Sequence, residues 1–334
     1  MSNLISILMP VKNAEPFLEE CLESILEQDE AHWELIAVND HSTDNSLATL
    51  NSFAKQDERI KVMSCDEKGV IPALRLAYEN SIGALIHRMD ADDLMPKKKL
   101  SSLKHAILAS PKGSVASGKV YYFSKEGLNE GYRNYERWLN QLCTKKNQWE
   151  EIYKECVIAS PNWMIRRSDL EQVNAFRVNR YPEDYDLVFR FYEANYKVVC
   201  LDKITHHWRD HKARSSRNME VYKHNDYFEL KWFYFKKLDY RSDRPLMIWG
   251  AGPKGKKLAR TINEDGTSFN WVSNNPNKHG KEIYNKILAS FESILHQDQP
   301  QILIAVGNKE AQKKIRLFLN QHDYSEGKDY FFFC

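Results

Sequence analysis

Several ingredients are scarce in this chain of 334 residues. No apolar run approaches the ~20 residues that carry a helix across a bilayer, so no membrane span is expected. The N-terminus lacks a signal-peptide pattern, because strand-like sequence already begins at Leu4. The six cysteines, Cys21, Cys65, Cys143, Cys156, Cys200 and Cys334, show no C-x-x-C spacing. That argues against a structural zinc site and points to reduced thiols in a cytosolic protein. Net charge is also nearly absent: 48 Lys and Arg against 46 Asp and Glu leave +2. So small a balance does not announce a nucleic-acid binder, although a local basic patch counts for more than the total. Neither internal repeats nor low-complexity segments occur. What remains, 42% hydrophobic and 28% charged residues, is an ordinary globular composition. The length exceeds one core of ~100–200 residues, and two domains are expected.

The run Arg88-Met89-Asp90-Ala91-Asp92-Asp93 follows the apolar stretch Gly83–Ile86, which places a carboxylate cluster at the end of a buried strand. Such a cluster repels itself unless a cation sits in it. Mg²⁺ and Mn²⁺ are completed by one or two protein carboxylates plus substrate phosphates, so Asp90-x-Asp92 is a candidate metal-diphosphate clamp. The competing reading is an acidic turn capping the next helix, with Pro96 in its first turn. Upstream, Leu4–Val11 reads as a strand, and Asn13–Pro16 turns the chain into the helical pattern Phe17 to Leu26. A second strand, Trp33–Val38, ends in the polar loop Asn39–Asp44, suited to cap a helix from Ser46, and a third follows at Ile60–Met63. Strands alternating with helices imply an α/β fold with a mostly parallel sheet and a ligand crevice beyond the strands' carboxyl ends. Pro10–Asn13, Asn39–Asp44 and Asp90–Asp93 all occupy such ends.

After Arg244-Pro245 the pattern restarts. Leu246–Trp249 is strand-like, Gly250-Ala251-Gly252-Pro253-Lys254-Gly255 is G-x-G-x-x-G, and Lys256–Ile262 is helical. Glycines in that place set a dinucleotide phosphate against a helix N-terminus. However, the next strand, Phe269–Val272, ends in Ser273-Asn274-Asn275-Pro276 with no carboxylate for an adenosine ribose. The domains expected are thus 1–212, a linker at 213–243 and a small Rossmann-like domain at 244–334 with an accessory, docking or dimerising role. The stretch Tyr222–Leu238, rich in aromatics and lysines, reads as a helix packing the domains together, or as a membrane-surface or RNA-stacking face.

Residues 4 to about 211 resemble a family 2 glycosyltransferase with the GT-A nucleotide-diphospho-sugar transferase fold. The resemblance is carried by Pro10-Val11-Lys12-Asn13, Val38–Asp44, Gly69-Val70-Ile71-Pro72-Ala73, Asp90–Asp93 and Pro182-Glu183-Asp184-Tyr185-Asp186-Leu187. It implies that Pro10, Val11 and Asn13 line a nucleotide pocket and that Asp40 accepts a hydrogen bond from uracil N3–H. Asp90 would lie near the ribose, and Asp92 would ligate Mn²⁺ or Mg²⁺ at the donor diphosphate. Arg75 and Arg88 can each pair with phosphate oxygens, or equally form structural ion pairs. Asp93 has a helix-start hydrogen-bonding role as its alternative. The resemblance makes Asp184 the catalytic base, with Glu183 as fallback, and predicts inversion at the anomeric carbon. In His206–His211, His211 would close over the diphosphate or complete the metal shell. Trp163 would form the acceptor wall, or serve as core.

With Tyr135–Leu142, Pro161-Asn162-Trp163 and the Trp249-Gly250-Ala251-Gly252 tail, the chain is also similar to β-1,3-N-acetylglucosaminyltransferase-like proteins, described too as queuosine-tRNA galactosyltransferases. This implies a UDP-sugar donor carrying galactose or N-acetylglucosamine. The acceptor is a glycan, a lipid-linked saccharide or tRNA. Surface-glycan synthesis in the cytoplasm, with peripheral contact at the inner face of the membrane, is the first expectation, and a homo-oligomer through the C-terminal domain accompanies it. Queuosine-tRNA glycosylation and a noncatalytic nucleotide-binding scaffold are the alternatives.

Overall fold

Apolar runs of four to seven residues, alternating with amphipathic ones, build βα units from the first described residues onward. A computed structural model describes residues 3–214 and 227–334, which fall into two units. The first holds 3–148 and 158–214, and the second holds 149–157 and 227–334.

In the first unit, β1 (Ile5–Val11), β2 (Trp33–Asn39), β3 (Ile60–Ser64) and β4 (Leu85–Arg88) are parallel and alternate with α1 (Glu15–Leu26), α2 (Ser46–Gln56) and α3 (Val70–Glu79). Then come α4 (Lys99–Leu108), β5 (Ser114–Phe123), α5 (Glu130–Lys145), β6 (Trp163–Arg166), α6 (Arg167–Gln172), α7 (Glu183–Glu193) and β7 (Lys197–Arg209). The seven strands lie in the order β3-β2-β1-β4-β6-β5-β7, with β6 antiparallel to both neighbours. Every residue of β2 is buried, as a central parallel strand requires. Strand β1 pairs with β2 over its whole length but with β4 only through Leu8, so Pro10 sits where the ladder has opened on one side. That opening is the floor of the crevice.

The six expected reduced thiols are corrected at one pair. Cys143 on α5 and Cys200 on β7 form a disulfide with Cα atoms 5.2 Å apart, while Cys21, Cys65, Cys156 and Cys334 are free. The partners lie 57 residues apart, and only the packing of α5 on β7 brings them together.

The second unit contains α8 (Phe228–Leu238), β8 (Leu246–Trp249), α9 (Pro253–Glu264), β9 (Asn270–Ser273), β10 (Glu282–Ile283), β11 (Lys286–Ser290), β12 (Gln301–Ile304), α10 (Lys309–Gln321) and β13 (Tyr330–Phe332). Its strand order is β10-β11-β9-β8-β12-β13, parallel except for β10. Helix α8 is core here: Phe228, Leu230, Trp232, Tyr234 and Phe235 are buried, and Lys231 Nζ donates to the carbonyls of Lys154 and Phe333. Those buried rings are not available to stack on bases or lie on a membrane. Tyr222 to Asp226 of that stretch lie outside the described residues, as do Ser215 to Arg217. Residues 149–157 join this unit through Tyr153, whose ring stacks on Phe333 and meets Phe235 and Phe331 edge-on. Among the described residues no helix is long and apolar enough to cross a membrane.

Candidate active site

The β1–α1 and β2–α2 loops are fastened to each other, and this fixes one wall. Asn13 adopts a left-handed backbone, tolerable for asparagine, and its Oδ1 accepts the Thr43 N–H while its own N–H donates to Ser42 Oγ. The exposed N–H groups at the start of α1 find acceptors across the gap: Ala14 donates to Ser46 Oγ and Glu15 to Asp44 Oδ2. Asp44 Oδ1 also accepts the Ser46 N–H at the start of α2. The polar loop Asn39–Asp44 is thus mainly a brace. Within it Asp40 alone turns into the crevice, accepting the Gly69 N–H at 2.8 Å and Lys12 Nζ at 3.3 Å. Gly69 has φ +134, which a side chain would not tolerate.

A cavity of about 260 Å³ opens above this floor, lined by Pro10, Val11, Asn13 and Asp40 together with Arg88, Asp90, Asp92, Glu183, Asp184 and His211. Two motifs about ninety residues apart in sequence thereby meet. Arg88 is the joint: its Nε donates to Asp90 Oδ1 at 2.9 Å and its Nη1 to Glu183 Oε1 at 3.0 Å. The structural ion-pair alternative for Arg88 is therefore realised, inside the crevice. Burial raises the Asp90 carboxyl, with Arg88 opposing. Burial, followed by the Glu183 charge, pushes the Asp184 carboxyl up to about 7. A base poised near neutrality is what proton abstraction at physiological pH requires.

Asp92 behaves differently. Burial opposes its ionisation, but the hydrogen bond to His211 and the Arg214 cation more than offset this, and its carboxyl stays below the ordinary value. Asp92 Oδ2 and His211 Nε2 are 2.8 Å apart, and Phe17 supports the imidazole with ring centroids at 4.2 Å. Among the described residues no three His, Cys, Asp or Glu side chains form a closed metal cage. A hard divalent cation that keeps waters and phosphates in its shell needs only one or two protein ligands. An ionised Asp92 beside an imidazole nitrogen on the cavity wall fits that requirement.

Asp93 turns away from the cavity into the core. Its Oδ1 accepts the Arg209 N–H, and its Oδ2 meets His206 Nε2 at 2.9 Å. Lys99 Nζ donates to Pro161 O and to His206 Nδ1, which assigns the Nε2–H tautomer to His206. Asp93 thus ties the β4 loop to β7, and Arg209 Nε holds the Asp92 carbonyl. Asp93→Ala would orphan the Arg209 and His206 donors in a buried site, each at about 1–3 kcal/mol. A lower urea midpoint at unchanged slope is the expected result, and an unchanged midpoint would show that the tie carries no stability.

Two predicted residues are not brought to the cavity. Arg75 Nε donates to Phe176 O, and its Nη2 reaches Arg177 O and Asn179 Oδ1, so this guanidinium fastens the 176–179 loop instead of facing a diphosphate. Trp163 is buried in β6 with its ring edge-on to Phe191, the packing role. Sequence reasoning missed Ser160, Trp208 and Arg214, which line the crevice. Ser160 Oγ and Trp208 Nε1 are buried there with no hydrogen-bond partner among the described residues. Ser160 adjoins the quoted Pro161-Asn162-Trp163, and Arg214 lies three residues after His211, so proximity to a motif was their only signal.

The mostly parallel sheet, with a carboxylate-lined crevice beyond its strand ends, is a GT-A transferase fold. Staphylococcus aureus TarS 1–349, solved in complex with UDP-GlcNAc, superposes with a TM-score of 0.54 over 78% of this chain and 71% of that one, at 18% identity, a likeness of fold. The Glycosyl transferase family 2 model matches residues 6–173, and the chain belongs to that family. Streptococcus pneumoniae glycosyltransferase GlyG is 25% identical across 70% of this chain and 76% of its own length. GlyA of the same organism is 28% identical across 64% of this chain, but the match spans only 31% of GlyA. Bacillus subtilis TuaG, a putative teichuronic acid biosynthesis glycosyltransferase, is 38% identical over 98 residues, 29% of this chain and 39% of TuaG.

Proposed function

We propose that the protein is a metal-dependent, inverting glycosyltransferase that moves a hexose or N-acetylhexosamine from a UDP-sugar to a hydroxyl of a cell-surface glycan or its precursor. The observation that carries this reading is the meeting of Asp40, Asp90 and Asp92 with Glu183 and Asp184 in one cavity. Asp40 keeps acceptor capacity for uracil N3–H after its bonds to Gly69 and Lys12. Asp184 takes the proton of the acceptor hydroxyl as that oxygen bonds to the anomeric carbon and the carbon–diphosphate bond breaks. Arg88 holds Glu183 and Asp90, so the Asp184 carboxyl faces a fixed field. Asp92 and His211 would hold Mn²⁺ or Mg²⁺, which when bound stabilises negative charge on the departing diphosphate. Ser160 Oγ and Trp208 Nε1 offer hydrogen bonds to sugar hydroxyls.

The TarS complex with UDP-GlcNAc supports a UDP-sugar donor. The name of TuaG and that of the Myxococcus xanthus O-antigen biosynthesis protein RfbC support a surface glycan. The cavity wall sets the cations Lys12, Arg88 and Arg214 against five carboxylates, which favours a glycan acceptor over polyanionic tRNA.

Thermal shift across a panel of UDP-sugars, with and without Mn²⁺, tests the reading. The matching donor at 100 times its Kd should add about 2.7 kcal/mol of apparent stability, and only when the metal is present. A panel in which no UDP-sugar raises the Tm with Mn²⁺ would overturn it.

A further inference from the structure

The second unit carries a cavity of about 910 Å³ that shares no lining residue with the crevice of the first unit. It opens at the carboxyl ends of β8, β9 and β12. The chain runs from β8 outward through β9 on one side and returns to β12 on the other, so the strand order reverses at the β8–β12 seam. Open parallel sheets bind ligands at such a seam.

The wall has two chemical faces. Phe291 and Phe318, both packed on the buried Trp249 ring, supply an apolar floor, Lys254 and Lys314 are exposed on the wall, Lys278 Nζ donates to Ala251 O, and among the described residues no carboxylate lines the cavity. Lysines without acids select an anion, and an aromatic floor selects a flat ring.

The glycines separate what the fold needs from what it does not. Gly250 has φ +125, and a Cβ there would lie 2.8 Å from Ala305 O. A Cβ on Gly255 would run into Gly250 O. Gly252 is different: its φ of −79 and ψ of −172 suit any residue, and a Cβ would meet nothing within 4 Å. Neither conformation nor packing asks for glycine at 252. Open space in front of the N–H groups that begin α9 does, because a ligand must approach the backbone there.

We propose that this cavity binds a nucleoside phosphate, with the phosphate over Gly252 between Lys254 and Lys314 and the base on the Phe291–Phe318 floor. The ligand is a mononucleotide. Strand β9 ends without the acid that holds the adenosine ribose of a dinucleotide, and the Asn274 carboxamide at that place already accepts the Trp249 Nε1–H at 2.6 Å.

Hydrogen exchange on the full chain distinguishes this site from the crevice of the first unit, since each reports in its own peptides. Saturating ADP or UDP should slow amide exchange at least about tenfold in peptides spanning 250–256 and 307–312. Gly252→Val and Lys314→Glu should each remove that protection while leaving sugar transfer unchanged. Protection by inorganic phosphate equal to that by nucleotide would overturn the assignment of a base on the floor. Absence of protection at millimolar nucleotide, or protection that survives both variants, would overturn the site.

Discussion

Asp184→Asn is expected to lower kcat by about 10²–10⁴-fold while changing donor affinity little, because it removes a proton acceptor and keeps the size and polarity of the side chain. The wild-type rate should show the matching pH signature. Burial and then Glu183 push the Asp184 carboxyl up to about 7. The base form is therefore missing well below neutrality, and turnover should climb with pH and reach half its plateau near 7. An acid limb near pH 4 would mean that the carboxylate acting as base is not this one. Turnover by Asp184→Asn within tenfold of wild type would remove it from the mechanism outright. Glu183 is the weaker candidate on physical grounds, since Arg88 already occupies one of its oxygens at 3.0 Å.

The second large effect should come from Asp92. Asp92→Ala is expected to weaken UDP-sugar binding in Mn²⁺ by about 100-fold or more and to erase the difference between Mn²⁺ and EDTA. The comparison with EDTA matters, because the same variant also deprives His211 of its 2.8 Å partner. A merely displaced imidazole would weaken binding with and without metal alike. Calorimetric titration of UDP in both buffers separates the two outcomes. A variant that keeps its full Mn²⁺ dependence would relieve Asp92 of the metal role.

Much of the framework was legible because it is written in short-range pattern. The strands at Trp33, Ile60 and Leu246 and the helices after Asn13, from Ser46 and at Lys256 stand where the pattern placed them, to within about three residues. The crevice was legible for the same reason, since strand ends in a parallel sheet converge on one edge. What escaped was decided by long-range packing. The antiparallel β6 inserted between β4 and β5 has no local signature. Arg75 sits on α3, whose first residue Val70 lines the crevice, yet loop carbonyls at 176 and 177 capture its guanidinium. Trp163 and Trp208 are both tryptophans near motifs, and only tertiary packing sets Trp208 on the cavity wall and Trp163 against Phe191. The aromatic stretch ending at Leu238 reads first as a packing helix, and hydrophobic and lysine residues mixed along it keep a membrane or RNA face open as the second reading. In the structure Lys231 is itself buried, its ammonium spent on two main-chain carbonyls.

The nine residues 149–157 give the chain an interleaved order, with a piece of the second unit encoded inside the first. No single cut can therefore part the two. A fragment ending near 222 would keep the buried Tyr153 but lose its partners Phe235, Phe331 and Phe333, and would carry a sticky segment into solution. A fragment beginning at 227 would have the opposite fault, a slot in its core. Exchange of the second unit between related enzymes would need two matched junctions in the gene.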